Sequence, residues 1–369
     1  MNTTRRTEWM QRRSMVQNEL IPQWGRELED LTPRLIKLIH SLEWVCIEDH
    51  VPRWIGIGRP PKDRGALANA FVAKTVLGLS TSVALIERLT VDRGLRRICG
   101  FAGWKKLPNE ATFSRAFAEF AHSRLAERMH ERLIQTHLGD ALIGHISRDG
   151  TAIQARERPA RMEASATPAA TSPKRRGRPR KGEASPAPKP TRIQRQRVQT
   201  LAQAMGELQR GCDRGSKCNA QGYKISWNGY KLHLDTADCG VPISAVLTSA
   251  SVHDSQAAIP LSRITASRVT HLYDVMDAAY CSDVLREHCR DLGHIPLIDH
   301  NPRGGQKIEF DPAQKRRYNE RTVAERTNAR LKDEFGGNHL WVKGDVKVMS
   351  HLMFGVLVLA ADQLMRLLQ

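Results

Sequence analysis

The chain has 369 residues, with 57 Lys and Arg against 39 Asp and Glu, a formal net charge of +18 and a pI near 10.0. So basic a balance points away from acidic substrates and toward a polyanionic partner, nucleic acid first; a merely basic protein is the plainer alternative. A hydrophobic share of 40% suffices for two domains or one large domain with an insertion. Seven cysteines without a CxxC pair or zinc spacing indicate a reducing compartment.

Arg5, Arg6, Arg12 and Arg13 are followed by no apolar run, which argues against a secretory signal. From about residue 17 to 140 the pattern is helical. Leu35, Ile36, Leu38, Ile39, Leu42 and Val45 recur at mostly helical spacing, and Gly65 to Leu89 forms a second stretch broken near Gly78. Gly58-Arg59-Pro60-Pro61 reads as a loop between them. Asn109 is placed to cap a helix carrying Phe113 and Phe117 inward. With a short helix before it and a turn containing Gly100 and Gly103, this helix suits a helix-turn-helix that turns Ser114 and Arg115 to DNA. An ordinary helical bundle explains the same pattern.

Leu142 to Thr151 reads as a strand ending in Asp149. Composition then shifts: residues 156–198 hold thirteen Lys and Arg against three Glu, a surplus of +10. Few large apolar residues occur there, so a disordered insertion is expected. Arg176-Gly177-Arg178-Pro179 inside it resembles an AT-hook core, which lies in the narrow minor groove of A·T-rich DNA; a nonspecific basic linker is the alternative. Ile193 to Leu208 is expected to form a short basic helix.

Tyr223–Thr236 and Val241–Thr248 read as a hairpin about the Asp238-Cys239-Gly240 turn, beside the Asp149 strand. His253-Asp254 reads as the cap of a helix through Ile264 rather than a metal pair. Thr270 to Tyr280 is a second strand ending in an aspartate, Asp277, followed by helix Ser282–Leu292 and strand Ile295–Asp299. Asp274 competes with Asp277 but lies three residues earlier, so its side chain should take the opposite face. Strands alternating with helices after an antiparallel start fit a mixed α/β sheet.

Tyr318 to Lys332 contains no Gly or Pro and is expected to be one helix. At about 100° per residue, Tyr318, Arg321, Glu325 and Lys332 fall within roughly 60° of one another. Arg321 and Glu325 are spaced for an ion pair, although solvated surface pairs are the ordinary outcome of such spacing. Gly336-Gly337 ends this helix, and Leu352–Ala361 is apolar but too short for a bilayer span, so a buried C-terminal helix and no membrane association are expected. Two strand-end aspartates and a helical glutamate can converge on two Mg²⁺ or Mn²⁺ ions, which clamp a phosphodiester during in-line displacement.

Tyr318, Arg321, Glu325 and Lys332 match the Y-(2)-R-(3)-E-(6)-K signature without a gap, Asp149-Gly150-Thr151 resembles the first aspartate motif, and Asp277-Ala278-Ala279-Tyr280 the second. On these residues the chain resembles a bacterial insertion-sequence transposase of the DDE type from about Leu42 onward. The resemblance implies an RNase H-like mixed-sheet catalytic domain with an all-α N-terminal DNA-binding domain. The expected division is 1–140 helical and DNA-end-binding, 141–155 catalytic, 156–220 basic insertion and 221–369 catalytic. It implies Asp149, Asp277 and Glu325 as catalytic metal ligands, two Mg²⁺ ions with Mn²⁺ as substitute, and Tyr318, Arg321 and Lys332 at DNA. Implied partners are inverted-repeat ends, target DNA and further copies of the chain, in the cytoplasm at the nucleoid. A noncatalytic DNA-binding protein and a metal-dependent nuclease are the rivals.

Overall fold

The computed structural model describes residues 31–51, 57, 62–101, 106–159, 189–218, 221–302 and 305–367. Before the first strand come α1 (Pro33–Val45), α2 (Arg64–Val76), α3 (Ser82–Val91), α4 (Arg93–Cys99), α5 (Glu110–His122) and α6 (Leu125–Leu138). Their starts are written in short polar side chains: Thr32, Asp63, Thr81, Asp92 and Asn109 each accept a hydrogen bond from a backbone N–H of the first turn. Asn109 is the cap expected from the sequence, and Phe113 and Phe117 are buried as expected. Residues 100–109 separate α4 from α5, a link longer than the three- or four-residue turn of a helix-turn-helix.

β1 (Leu142–Gln154) lies at the centre of a mixed sheet. It runs antiparallel to β3 (Lys224–Ala237) and parallel to β5 (Thr270–Met276), which in turn pairs in parallel with β6 (Ile295–Ile298). β2 (Asp213–Cys218) and β4 (Pro242–Ser249) both pair antiparallel with β3. The β3–β4 hairpin turns at Gly240, whose φ of 80° favours glycine and whose N–H reaches the Ala237 carbonyl at 2.8 Å. The architecture is therefore mixed α/β.

Residues 189–218 depart from the expected disordered insertion and from a single Ile193–Leu208 helix. They form α7 (Arg192–Val198), α8 (Leu201–Gly206) and β2. Thr191 and Thr200 each build a capping box, and the second one restarts the helix at Leu201. Leu208 and Met205 pack on Val246, Leu261 and Ile264, which gives this segment the apolar contacts its composition conceals. α9 (Ser255–Ala266) covers this part of the sheet, and α10 (Asp283–Asp291) links β5 to β6. The AT-hook-like Arg176, Gly177, Arg178 and Pro179 lie outside the described residues.

α11 (Pro312–Asn319) and α12 (Thr322–Asp333) replace the single helix expected over Tyr318–Lys332. At the junction the hydrogen bonds tighten to a three-residue spacing: Arg321 N–H to Tyr318 O and Ala324 N–H to Arg321 O, both 3.0 Å. Asn319 and Thr322, both weak helix formers, flank the break.

The last helix, α13 (Asp345–Leu367), is longer than the Leu352–Ala361 run suggested. Its length and composition would suffice for a bilayer, yet it is buried on nearly all sides from Val348 to Leu364. Phe354 packs against Phe71 and Phe117, with ring centroids 5.9 and 6.3 Å away. One buried cluster runs from α1, α2, α5 and α6 through α13 to β1 and β3, so helices and sheet share a core.

Candidate active site

Asp149 sits in β1 where alternation separates it from Arg148. Arg148 is 1% exposed and grips Asp235 with Nε and Nη2 at 2.8 and 2.7 Å; Asp274 lies 3.4 Å from the same Nη2. Asp274 thus belongs to a buried ion cluster. Burial alone would raise its pKa, but His271, His294 and Arg148 hold it well below the usual carboxylate range.

Asp149 turns the other way and meets Asp277. Asp277 stands just past β5 and caps the 3₁₀ turn Ala278–Tyr280, accepting from the Ala279 N–H at 2.9 Å. Burial first, and then the Asp277 charge, push the Asp149 pKa up to about 6. Asp277 is raised too, by burial and by the charges of Asp254 and Asp299. The Tyr280 hydroxyl lies beside these acids, buried and with no hydrogen-bond partner among the described residues.

Arg321 at the start of α12, with Asn328 and Lys332 on it, interacts with this pair, whereas Glu325, spaced for the same helix face, is paired with Arg321 and shows no interaction with either aspartate among the described residues. Asn328 Nδ2 donates to Asp149 Oδ2 at 2.9 Å. Arg321 Nη2 is 2.7 Å from Glu325 Oε1. Burial would lower the Arg321 pKa, but Tyr318, Glu325, Asp149 and Asp277 around it raise it. The Glu325 carboxylate is 53% exposed and turned to Arg321. Lys332 is half-buried; desolvation and Lys217 of β2 lower its pKa, while Asp149 pulls it back up. Tyr318 lies across the α11–α12 break, with its ring 4.9 Å from that of Phe310 and the Arg321 guanidinium 5.9 Å from its centroid.

The glycine of Asp149-Gly150-Thr151 has a packing reason. A Cβ on Gly150 would meet Asp254 Oδ1 at 2.8 Å and His233 Nδ1 at 3.1 Å. Asp254 holds the N-cap position expected from the sequence but makes no capping side-chain hydrogen bond. Its Oδ1 pairs with Lys231 Nζ at 2.9 Å, whereas His253 Nδ1 takes the Ser255 N–H at 3.4 Å and meets the Ser255 hydroxyl at 2.8 Å. Asp254, Asp299 and Asn328 were missed from the sequence. Asn328 carried a signal, since it lies seven residues after Arg321 on the same face; Asp254 and Asp299 carried none apart from the fold.

Ser114 and Arg115 are exposed on α5, away from Phe113 and Phe117. Ser114 lines a cavity of about 280 Å³ together with Lys74, Trp341, Lys343 and Lys347. Arg115 folds back so that Nε donates to the Ala111 carbonyl at 3.2 Å.

The mixed sheet thus sets Asp149 and Asp277 beside Arg321, Asn328 and Lys332 at one helix face. The Transposase DDE domain family matches residues 149–360, and the Transposase domain (DUF772) family matches residues 26–119. The chain belongs to the DDE transposase family, whose function is DNA transposition and whose members act on DNA with divalent metal ions. No match was found among curated proteins or among solved structures.

Proposed function

We propose that this chain binds the terminal inverted repeats of an insertion sequence, cleaves the element ends and joins the freed 3′-OH to target DNA. The observation that carries this reading is the Asp149–Asp277 pair. Two adjacent carboxylates, both with raised pKa, repel each other and are relieved by a divalent cation. The orphan Tyr280 hydroxyl beside them fits a hydrated ion in the same place. The donors are hard oxygens, which suits Mg²⁺, with Mn²⁺ as substitute.

Asp149, Asp277 and Glu325 are the ligands in this reading. Two bound ions supply positive charge to the attacking and leaving oxygens of the scissile phosphate. Asn328 fixes the Asp149 carboxylate through its hydrogen bond. Arg321 holds Glu325 until the site is loaded. Lys332 and Tyr318 contact phosphates on either side of the α11–α12 break. The RNase H-like assignment is supported by strand order: an antiparallel β4-β3-β1 edge followed by β5 and β6, each parallel to its neighbour.

Ser114 and Arg115 contribute to end binding in this reading, and two or more copies act together on DNA at the nucleoid. Arg176 to Pro179 add minor-groove contacts. Replacing residues 160–188 by a Gly/Ser segment lowers the log–log salt slope of DNA binding by about 0.9 for each phosphate that is no longer neutralised; an unchanged slope removes that role.

The test is nicking and joining on one labelled duplex from the DNA flanking the gene, with Mg²⁺. Cleavage at one position followed by joining of the 3′-OH supports the proposal. Cleavage without joining indicates a nuclease, and binding without either indicates a noncatalytic DNA-binding protein.

A further inference from the structure

Behind β1, on the Arg148 side of the sheet, His271 and Asp274 of β5 meet His294, which stands one residue before β6. One ligand atom from each lies within 4.8 Å of the others. His294 Nδ1 is 3.0 Å from Asp274 Oδ2, and His271 Nε2 is 3.4 Å from Asp274 Oδ1. The two imidazoles stack with centroids 3.7 Å apart. The first distance is a hydrogen bond. The second falls outside hydrogen-bond geometry, which leaves His271 with both ring nitrogens buried and without a hydrogen-bond partner among the described residues, although the residue is only 2% exposed.

Such a histidine is costly in a folded protein, because a desolvated donor and acceptor go unsatisfied. A cation bound between the three residues would satisfy one nitrogen. Ligands about 2.0–2.1 Å from a tetrahedral zinc lie about 3.3 Å from one another. The observed 3.0 and 3.4 Å bracket that separation.

We propose that His271, His294 and both carboxylate oxygens of Asp274 bind one structural Zn²⁺ that ties β5 to the start of β6 behind the catalytic face. Two imidazoles suit zinc over magnesium, so this site and the oxygen-lined Asp149–Asp277 site sort two metals by ligand chemistry. Binding involves no redox change. The zinc site is independent of whether the chain transposes DNA.

The experiment uses the full chain, stripped with a chelator and reloaded with Zn²⁺, then dialysed and measured for metal content. We expect one Zn²⁺ per chain, a higher melting temperature with Zn²⁺ than with Mg²⁺ alone, and the visible absorption of a four-coordinate ion when Co²⁺ replaces zinc. His294→Ala loses the metal, whereas Asp149→Asn keeps it. Should His294→Ala fail to fold, the cobalt spectrum of the wild type decides alone. A wild-type chain that retains no zinc and gives no four-coordinate cobalt spectrum overturns the proposal, as does a zinc lost in Asp149→Asn but kept in His294→Ala.

Discussion

Asn328 on α12 donates a 2.9 Å hydrogen bond to Asp149 on β1, across 179 residues of sequence. That bond fixes which rotation of α12 faces the aspartate pair, and with it the direction of Glu325 and Lys332. It also favours ionised Asp149, against burial and the Asp277 charge. Asn328→Ala removes it. We expect a stability loss of about 1 kcal/mol in chemical denaturation and an upward shift in the pH at which Mg²⁺ begins to bind, followed by titration calorimetry. Unchanged metal binding at every pH would mean that Asn328 has no part in poising Asp149.

The raised pKa of Asp149 makes a signed prediction about stability. Its folded value is about 6, above the ordinary aspartate value of 3.8. The native state therefore holds this proton when the unfolded chain has lost it, and stability falls as pH rises from about 4 through 6. The shift corresponds to about 3 kcal/mol at most. Buried His130, His233 and His351 have lowered pKa values and act in the opposite sense. The readout is thus the difference between wild type and Asp149→Asn in chelator. The variant should become the more stable of the two as pH rises through this window, and a flat difference from about pH 4 to 7 would refute the assigned shift.

Arg321 and Lys332 should separate by what rescues them. Arg321 sits 2.7 Å from Glu325 and near both aspartates, a position from which it can orient Glu325. Lys332 lies seven residues further, about 10 Å along the axis from Glu325. Arg321→Ala should recover part of its single-turnover cleavage with more Mg²⁺ or Mn²⁺. Lys332→Ala should instead respond to lower salt, because phosphate neutralisation is salt-dependent. The reverse pattern would exchange the two roles.

The sheet was legible because its strands carry the period of two and the hairpin carries Gly240. The start of α5 was legible because Asn109 is a capping residue. Asp277 was legible as the end of its strand, whereas Asp149, expected to end its own, lies within β1, which runs on to Gln154. Three features were hidden for physical reasons. The break between α11 and α12 rests on local hydrogen-bond spacing that no Gly or Pro announces. The fold of residues 189–218 rests on a few apolar contacts, Leu208 and Met205 among them, set within a basic composition. Asp254 reads locally as a cap, and only the closeness of Gly150 to it, 2.8 Å from a Cβ there, places it against the aspartate strand.

The central claim is that Asp149, Asp277 and Glu325 together hold the metal that drives DNA cleavage, with DNA binding carried elsewhere on the chain. The most direct measurement is single-turnover cleavage of a labelled end-containing duplex by the wild type, Asp149→Asn, Asp277→Asn and Glu325→Gln, with Mg²⁺ or with chelator, alongside a DNA-binding titration. The account predicts cleavage by the wild type only with metal. It predicts a loss of about a thousandfold or more in each variant, roughly 4 kcal/mol of barrier, with DNA affinity nearly unchanged. Cleavage at the wild-type rate by Asp277→Asn, or by the wild type in chelator, would contradict it.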